Sequence, residues 1–501
     1  MNRQWRNHMV DMLNKLKKSE HLRQDLIQLK ETIKSSEAKE KQELSKALEE
    51  EREFVKELLF HEDAKVRKNM ATIIGDLSIA SFQEEIFAGY EQDGTLFNKT
   101  VYLKTLEQLG YDAYKEQLAL RLEEIKKEDK QEENKHIVQE IRQLTKMLSK
   151  VNMLSKHRFV GYDVPSVVFL TTNRNHVSLT KEQLKFLPCK VNSSGVLVKA
   201  DSIRDIMQVR TFDELLFDVT KGKLVENNPE KAASALLEGG LVKYLNERHL
   251  KGGAYPFRIE LRGKQSPEEK ASFVKKMAQQ LEVLSNHQLV NSVSDYEIEL
   301  RFMETKSGKL YPFLKCYTLK DHRFDYRKHY LPTSLHSSTA ATIIELAKPY
   351  MKQGAQILDP FCGTGTMLIE RNYACRAYSS YGVDIFNDAI LMARENTEKA
   401  GMVIHYINRD MRDFTHEYLF DEVITNMPVV TEKKGAEEIR QLYFDFFKKI
   451  GTLLKKHSYL FLYTKENDMM NQCLQRFPSY SLVKKYPIYE KEGSNLYIIT
   501  N

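Results

Sequence analysis

The chain is 501 residues long, 42% hydrophobic and 29% charged, more than one core organises, and a length prior predicts about three or four globular domains. No apolar run reaches the ~18 residues that a membrane helix needs, and the amino-terminal "MNRQWRNHMVDMLNKLKK" lacks a signal peptide's apolar core, so a cytoplasmic protein is expected. The net charge of +6 is unevenly placed: residues 151–330 carry 29 Lys and Arg against 21 Asp and Glu. Such a surplus suits a polyanion-binding segment, and equally a solvated lysine-rich surface. Five cysteines (Cys189, Cys316, Cys362, Cys375, Cys473) occur without CxxC pairs or nearby histidine clusters, which supports neither a disulfide framework nor a metal site.

Residues 1–150 contain no proline and space Leu, Glu and Lys as helices do, predicting an all-helical domain. "VRKNMATIIG" (Val66 to Gly75) and "VYLKTLEQLG" (Val101 to Gly110) share their first and last residues 35 positions apart, a period typical of stacked helical hairpins. With Asp63 before the helix and Val66-Arg67 in its first turn, "HEDAKVRKNMATIIGDL" resembles a HEAT repeat. The texture then changes. "SVVFLTT", "VLVKA", "FRIELRG", "YEIELRF" and "LYPFLKCYTL" alternate as strands, while "NPEKAASALLEGGLVKYLNERHL" and "PEEKASFVKKMAQQLEVL" are amphipathic helices, giving one or two α+β layers. These divide into a small ferredoxin-like region, 155–224, and a second region, 225–322. The order helix, strand, helix, strand, turn, strand in the latter resembles the THUMP domain of RNA-modifying enzymes.

From 326 to 501 strand and helix alternate strictly: "QILDP", "YGVDI", "VIHYINRD", "EVITNMP" and "SYLFLYTK" are separated by helices, and "YSLVKKYPIYEKEGSNLYIIT" closes the chain as a hairpin. These are the units of a Rossmann-like, doubly wound sheet, whose ligands bind at the carboxyl ends of the strands. "DPFCGTGT" puts an acid, Asp359, before a turn on Gly363 and Gly365, and Thr366 opens a helix. Asp384 follows Gly365 by 19 residues, near the spacing at which an acid grips two ribose hydroxyls. Asp410 suits an adenine amino group, with Met411 packing on the ring, and Asn426 ends the fourth strand. Cys362, inside the turn with no base indicated beside it, is a packed thiol.

An acid followed by this glycine turn resembles the first motif of class I S-adenosylmethionine (SAM) methyltransferases. The resemblance implies that Asp359, Phe361, Gly363, Gly365, Thr366, Asp384, Ile385, Asp410 and Met411 hold SAM. Together with "FDYRKHYLPTSLHSSTAATIIELA", the motif looks like the catalytic domain of THUMP-associated RNA methyltransferases, which modify guanosine N2 in tRNA or ribosomal RNA. In that family a helix carrying a "PxSL" run folds over the cofactor. Pro332, Ser334 and Leu335 match it, and Leu335 and His336 become substrate-side candidates, His336 being equally a helix-start residue.

An exocyclic amine is a poor nucleophile, because its lone pair is delocalised into the ring. Asn426 and the backbone beside Pro428 are the groups expected to present it by accepting its N–H bonds. The family usually follows the proline with an aromatic that stacks on the base, whereas this chain has Val429, also a substrate-side candidate. Stacking must therefore come from elsewhere or be lost. Tyr443, Phe444 and Phe446 sit at helical spacing, as core residues do. The expected activity is SAM-dependent methylation of an exocyclic base amine, most simply guanine N2 in tRNA, with a possible protein partner for the helical extension. A weakened methyltransferase fold that binds RNA or the ribosome, and adenine-N6 methylation, are the alternatives.

Overall fold

A computed structural model of the chain describes residues 16–19, 21–127, 134–152, 156–250, 253–432 and 434–501. Of the helical region expected over 1–150, residues 1–15, 20 and 128–133 lie outside the described residues. The chain divides into two compact units, one comprising residues 1–157, 251–256 and 281–295, the other the remainder.

The first unit is built from α1 (Leu22–Ser35), α2 (Ala38–Glu50), α3 (Arg52–Leu59), α4 (Ala64–Asp76), α5 (Gln83–Gln92), α6 (Leu96–Leu109), α7 (Lys115–Lys127) and α8 (Lys135–Asn152). The 35-residue echo falls on α4 and α6, which pack together. Asp63 caps α4 by accepting from the Lys65 N–H at 2.7 Å. The Asn98 side chain donates to the Ala64 carbonyl at 2.9 Å, and the Thr105 hydroxyl to the Ala71 carbonyl at 2.9 Å. Gly75 permits this approach, since a Cβ there would meet the Gln108 side chain at 2.3 Å. Arg67 forks onto Asp93 at 2.9 and 2.8 Å. Burial opposes ionisation of Asp93, but hydrogen bonds from Arg67, Asn98 and Thr95 outweigh it and hold the carboxyl well below its usual range.

The second unit holds two sheets. The first contains β1 (Ser166–Thr172), β2 (Cys189–Asn192), β3 (Gly195–Ala200), β4 (Phe212–Phe217), β5 (Tyr255–Arg262), β7 (Ile298–Glu304) and β8 (Leu310–Cys316), the short β6 (Leu289–Asn291) falling in the first unit. Successive neighbours run β2-β3-β1-β4-β8-β7-β5. Strands from 155–224 and 225–322 thus share one layer, joined where β4 pairs with β8. Helices α9 (Val177–Gln183), α10 (Pro229–Glu238), α11 (Leu241–Asn246) and α12 (Pro267–Leu284) accompany it. The sequence treats α10 and α11 as one helix; Gly240, at φ +86°, breaks it. Strands β2 and β4 carry no alternating pattern clear enough to be expected from sequence. β2 is mostly exposed, and β4, "FDELLF", buries a consecutive run.

The second sheet contains β9 (Gln356–Asp359), β10 (Ser379–Asp384), β11 (His405–Asn408), β12 (Phe420–Asn426), β13 (Leu454–Thr464), β14 (Ser481–Tyr489) and β15 (Ser494–Thr500), in the order β11-β10-β9-β12-β13-β15-β14. β9 to β13 are parallel, and the expected hairpin adds β15 antiparallel to both β13 and β14. Helices α13 (Ser337–Ala347), α14 (Thr366–Ala374), α15 (Asn387–Lys399), α16 (Ala436–Ile450) and α17 (Asn467–Arg476) cover it. Side chains of β9 alternate between two cores: Ile357 packs with Ile343 and Leu368, and Leu358 with Tyr443 and Phe446. A fully buried pair, Arg371 on Glu422 at 2.9 Å, ties α14 to β12. Order reverses at β9, which is flanked by β10 and β12, and a crevice opens at such a switch point.

Candidate active site

A cleft of about 780 Å³ lies over the carboxyl ends of β9, β10 and β12. Of the residues singled out from sequence, Asp359, Phe361, Gly363, Thr366, Asp384, Ile385, Asp410, Met411, Asn426, Pro428, Val429 and Leu335 all line it. Gly365 and His336 do not. Gly365 takes φ +83°, and a Cβ there would meet the Tyr406 hydroxyl at 2.3 Å, so it serves the bend and its packing on β11. His336 is an exposed helix-start residue whose Nδ1 lies 2.8 Å from Ser338 Oγ, which in turn donates to Asp213 at 2.5 Å.

The "PxSL" run is not helical in this chain. Leu331 to Ser334 form a turn in which the Leu331 N–H donates to Ser334 Oγ at 2.9 Å and the Ser334 N–H to the Leu331 carbonyl at 2.9 Å, and α13 starts only at Ser337. Proline has no N–H to give a helix, and the serine side chain offers the backbone an alternative partner. Ser334 Oγ also lies 3.3 Å from Thr364 Oγ1, so this turn rests on the glycine turn.

Three acids in the cleft have different surroundings. Asp359 is 1% exposed and accepts one backbone N–H, from Phe361 at 3.1 Å. Burial, with the nearby Asp384 charge adding to it, pushes its carboxyl up to about 7. Asp384 accepts the Gly363 N–H on one oxygen at 2.9 Å and the Phe386 N–H on the other at 3.0 Å. Both oxygens are thereby oriented, and each keeps a lone pair for a hydroxyl. Asp410 is forked by Arg412, at 3.0 Å from Nε and 2.6 Å from the terminal nitrogen, and also takes the Arg412 N–H at 2.9 Å. That pairing lowers its carboxyl from the ordinary value. Sequence reasoning missed Arg412 as Asp410's partner, although it stands two residues on.

At the end of β12 the Asn426 side-chain amide has no hydrogen-bond partner among the described residues. The Met427 N–H donates to the Tyr463 carbonyl at 2.9 Å. The Pro428 carbonyl is taken by the Tyr443 hydroxyl at 3.0 Å, which also lies 2.7 Å from Thr464 Oγ1. Tyr443 is therefore a buried support beneath the motif, as its helical spacing implies. Of the carbonyls beside Pro428, the one left for a ligand is that of Met427. Cys362 is 6% exposed and its thiol is pushed well up by burial, so it stays protonated and packed.

The residues fit an amino-acid-bearing nucleoside cofactor. Thr366 Oγ1 is buried without a protein partner, and α14 begins with no capping side chain, leaving first-turn N–H groups that suit a carboxylate. Asp359 suits an ammonium and Asp384 a ribose. The sheet order and the cleft at its switch point are those of the class I methyltransferase fold. Residues 325–490 match the UPF0020 family, described as RMKL-like, methyltransferase domain. The chain is 30% identical over 133 residues to the tRNA (guanine(10)-N2)-dimethyltransferase of Methanothermobacter thermautotrophicus, a stretch covering 25% of this chain and 38% of that one. It is 26% identical over 167 residues to a probable enzyme of the same name from Methanothermococcus thermolithotrophicus, covering 30% of this chain and 97% of that one. The crystal structure of TrmN from Thermus thermophilus superposes with a TM-score of 0.52 at 19% identity, covering 67% of this chain and 99% of that one, a likeness of fold. Among the described residues no helix is long and apolar enough to cross a membrane.

Proposed function

We propose that this chain transfers a methyl group from SAM to the exocyclic N2 of a guanosine in RNA, tRNA being the substrate named for the two archaeal relatives. The observation that carries the reading is Asn426: a polar side chain without a protein partner, in the same cleft as the glycine turn and Asp384. Asp359 holds the cofactor's ammonium, Thr366 and the start of α14 its carboxylate, and Asp384 its ribose. Asp410 accepts from the adenine amino group beside Met411 and keeps its charge through Arg412.

Bound there, SAM supplies an electrophilic methyl on a sulfonium. Asn426 Oδ1 and the Met427 carbonyl accept the two N–H bonds of the amine, aim its nitrogen at the methyl and draw on the proton that it loses. Alignment of this kind supplies most of the rate gain, and no strong base is needed. The basic 151–330 region and its THUMP-like part capture the RNA in the cytoplasm, while the HEAT-like helices dock a further part of it or a protein.

The test is transfer of labelled methyl from SAM to total RNA from cells lacking this protein, followed by nucleoside analysis. Labelled N2-methylguanosine is expected. Labelled N6-methyladenosine would keep the chemistry and replace the base. No label, with SAM binding intact, would sink the enzymatic reading.

A further inference from the structure

The fourth motif ends in Val429, which presents no ring to a base. Two aromatic side chains line the cleft, Phe361 and Phe386. Phe361 is half-buried, its ring 6.0 Å from that of Phe446, and belongs to the core beneath. Phe386 is different. It stands two residues past the end of β10, its N–H is fixed by Asp384, and the residue is 59% exposed.

A cation accompanies it. Lys434, in the loop that follows Asn426–Val429, also lines the cleft, and its Nζ lies 6.0 Å from the Phe386 ring centroid. No ion pair within bonding distance engages Lys434 among the described residues, although Glu438 lines the same cleft and the Lys434 charge helps, behind Arg412, to lower the Asp410 carboxyl. SAM itself, with a sulfonium and an ammonium against one carboxylate and no phosphate, offers this lysine no anion to pair with beyond what Asp410 already provides. An exposed ring with a cation at its face that no ion pair holds is the arrangement that takes a stacked base and its phosphate.

The strand order decides which nucleotide is held. β9 lies between β10 and β12, so two spacings of about 4.8 Å separate the strand end that carries Phe386 from the one that carries Asn426. A base whose amine sits on Asn426 is therefore not the base on Phe386. Resting on the RNA methyltransferase reading above, we propose that Phe386 stacks on the base flanking the target nucleotide and that Lys434 pairs with the phosphate there. This flanking grip replaces the affinity that an aromatic at position 429 would provide, and it makes the enzyme sensitive to the neighbour of its target.

The test uses the full chain and total tRNA from cells lacking the protein. Steady-state transfer is measured between about 50 and 200 mM salt, with SAM affinity measured separately by calorimetry. Phe386→Ala is expected to raise KM for RNA about tenfold while the SAM dissociation constant stays within about twofold, and Phe386→Trp to restore KM. Lys434→Gln is expected to flatten the salt dependence of kcat/KM by a little under one phosphate contact. Weakened SAM binding in Phe386→Ala would assign the ring to the cofactor and overturn the proposal. So would an unchanged RNA KM, or an unchanged salt slope in Lys434→Gln. A wild-type chain that binds SAM but labels no RNA would instead remove the functional reading on which the proposal rests.

Discussion

Glu214 on β4 and Asp359 on β9 are carboxylates on sheet strands of the same unit, and their surroundings drive them in opposite directions. Glu214 receives Arg301 at 2.5 Å and Lys315 at 2.6 Å. Although burial opposes its charge, these partners bring its carboxyl down to about 2. Asp359 has no cation, and burial takes it up to about 7 even though the Thr425 hydroxyl and the Phe361 N–H favour its charged form. Arg301 extends the first pattern, adding Glu260 at 2.8 Å and Glu299 at 2.6 Å, while Arg258 also pairs with Glu299. The first sheet spends its charges on itself. Over the second sheet the cleft instead holds the buried Thr366 hydroxyl without a protein partner, the Asn426 amide with none among the described residues, and Asp359 without a cation, polar groups left open to a ligand.

The contrast can be broken most severely at Arg301. Arg301→Ala leaves three carboxylates around a vacated guanidinium and is expected to cost about 3–5 kcal/mol of stability, read from the denaturant midpoint. An unmoved midpoint would show that the network contributes only polarity. In the cleft the same kind of truncation should spare the fold. Asn426→Ala is expected to lower methyl transfer about 100- to 1000-fold, with the SAM dissociation constant held within about twofold. Retained turnover would take Asn426 out of the chemistry.

Asp384→Ala should weaken SAM binding by about tenfold or more, through loss of hydrogen bonds to a charged acceptor, and calorimetry would show it directly. Asp359 yields the smallest and most graded effect. Because its carboxyl titrates near 7, it is largely protonated at pH 6 and must release a proton to receive an ammonium. SAM affinity is thus expected to fall about fivefold from pH 7 to 6, and Asp359→Asn should abolish that slope. For the free protein the sign runs the other way. A carboxyl raised in the folded state contributes most stability below about pH 4 and loses it as pH rises to about 7. Opposite slopes for binding and for folding would sharpen the contrast with Glu214.

Local sequence was enough to place the second sheet's strands, the hairpin around Glu492-Gly493 and the bend at Gly363 and Gly365. It was also enough to bring Asp359, Asp384, Asp410 and Asn426 to strand ends. Alternating burial, glycine's left-handed backbone and regular βα spacing are properties of neighbouring residues, so they are written in the order of the chain. Two expected helical stretches are absent for local reasons: at Leu331–Ser334 the proline lacks an N–H and Ser334 takes the Leu331 N–H, and at Gly240 a single positive φ breaks the helix. Lateral contacts were not legible at all. Only the folded chain sets Tyr443 under the Pro428 carbonyl, lays Lys434 beside Phe386 48 residues earlier, and pairs β4 with β8 across about 100 residues. Such proximity arises from how distant segments close upon one another, and no local pattern encodes it.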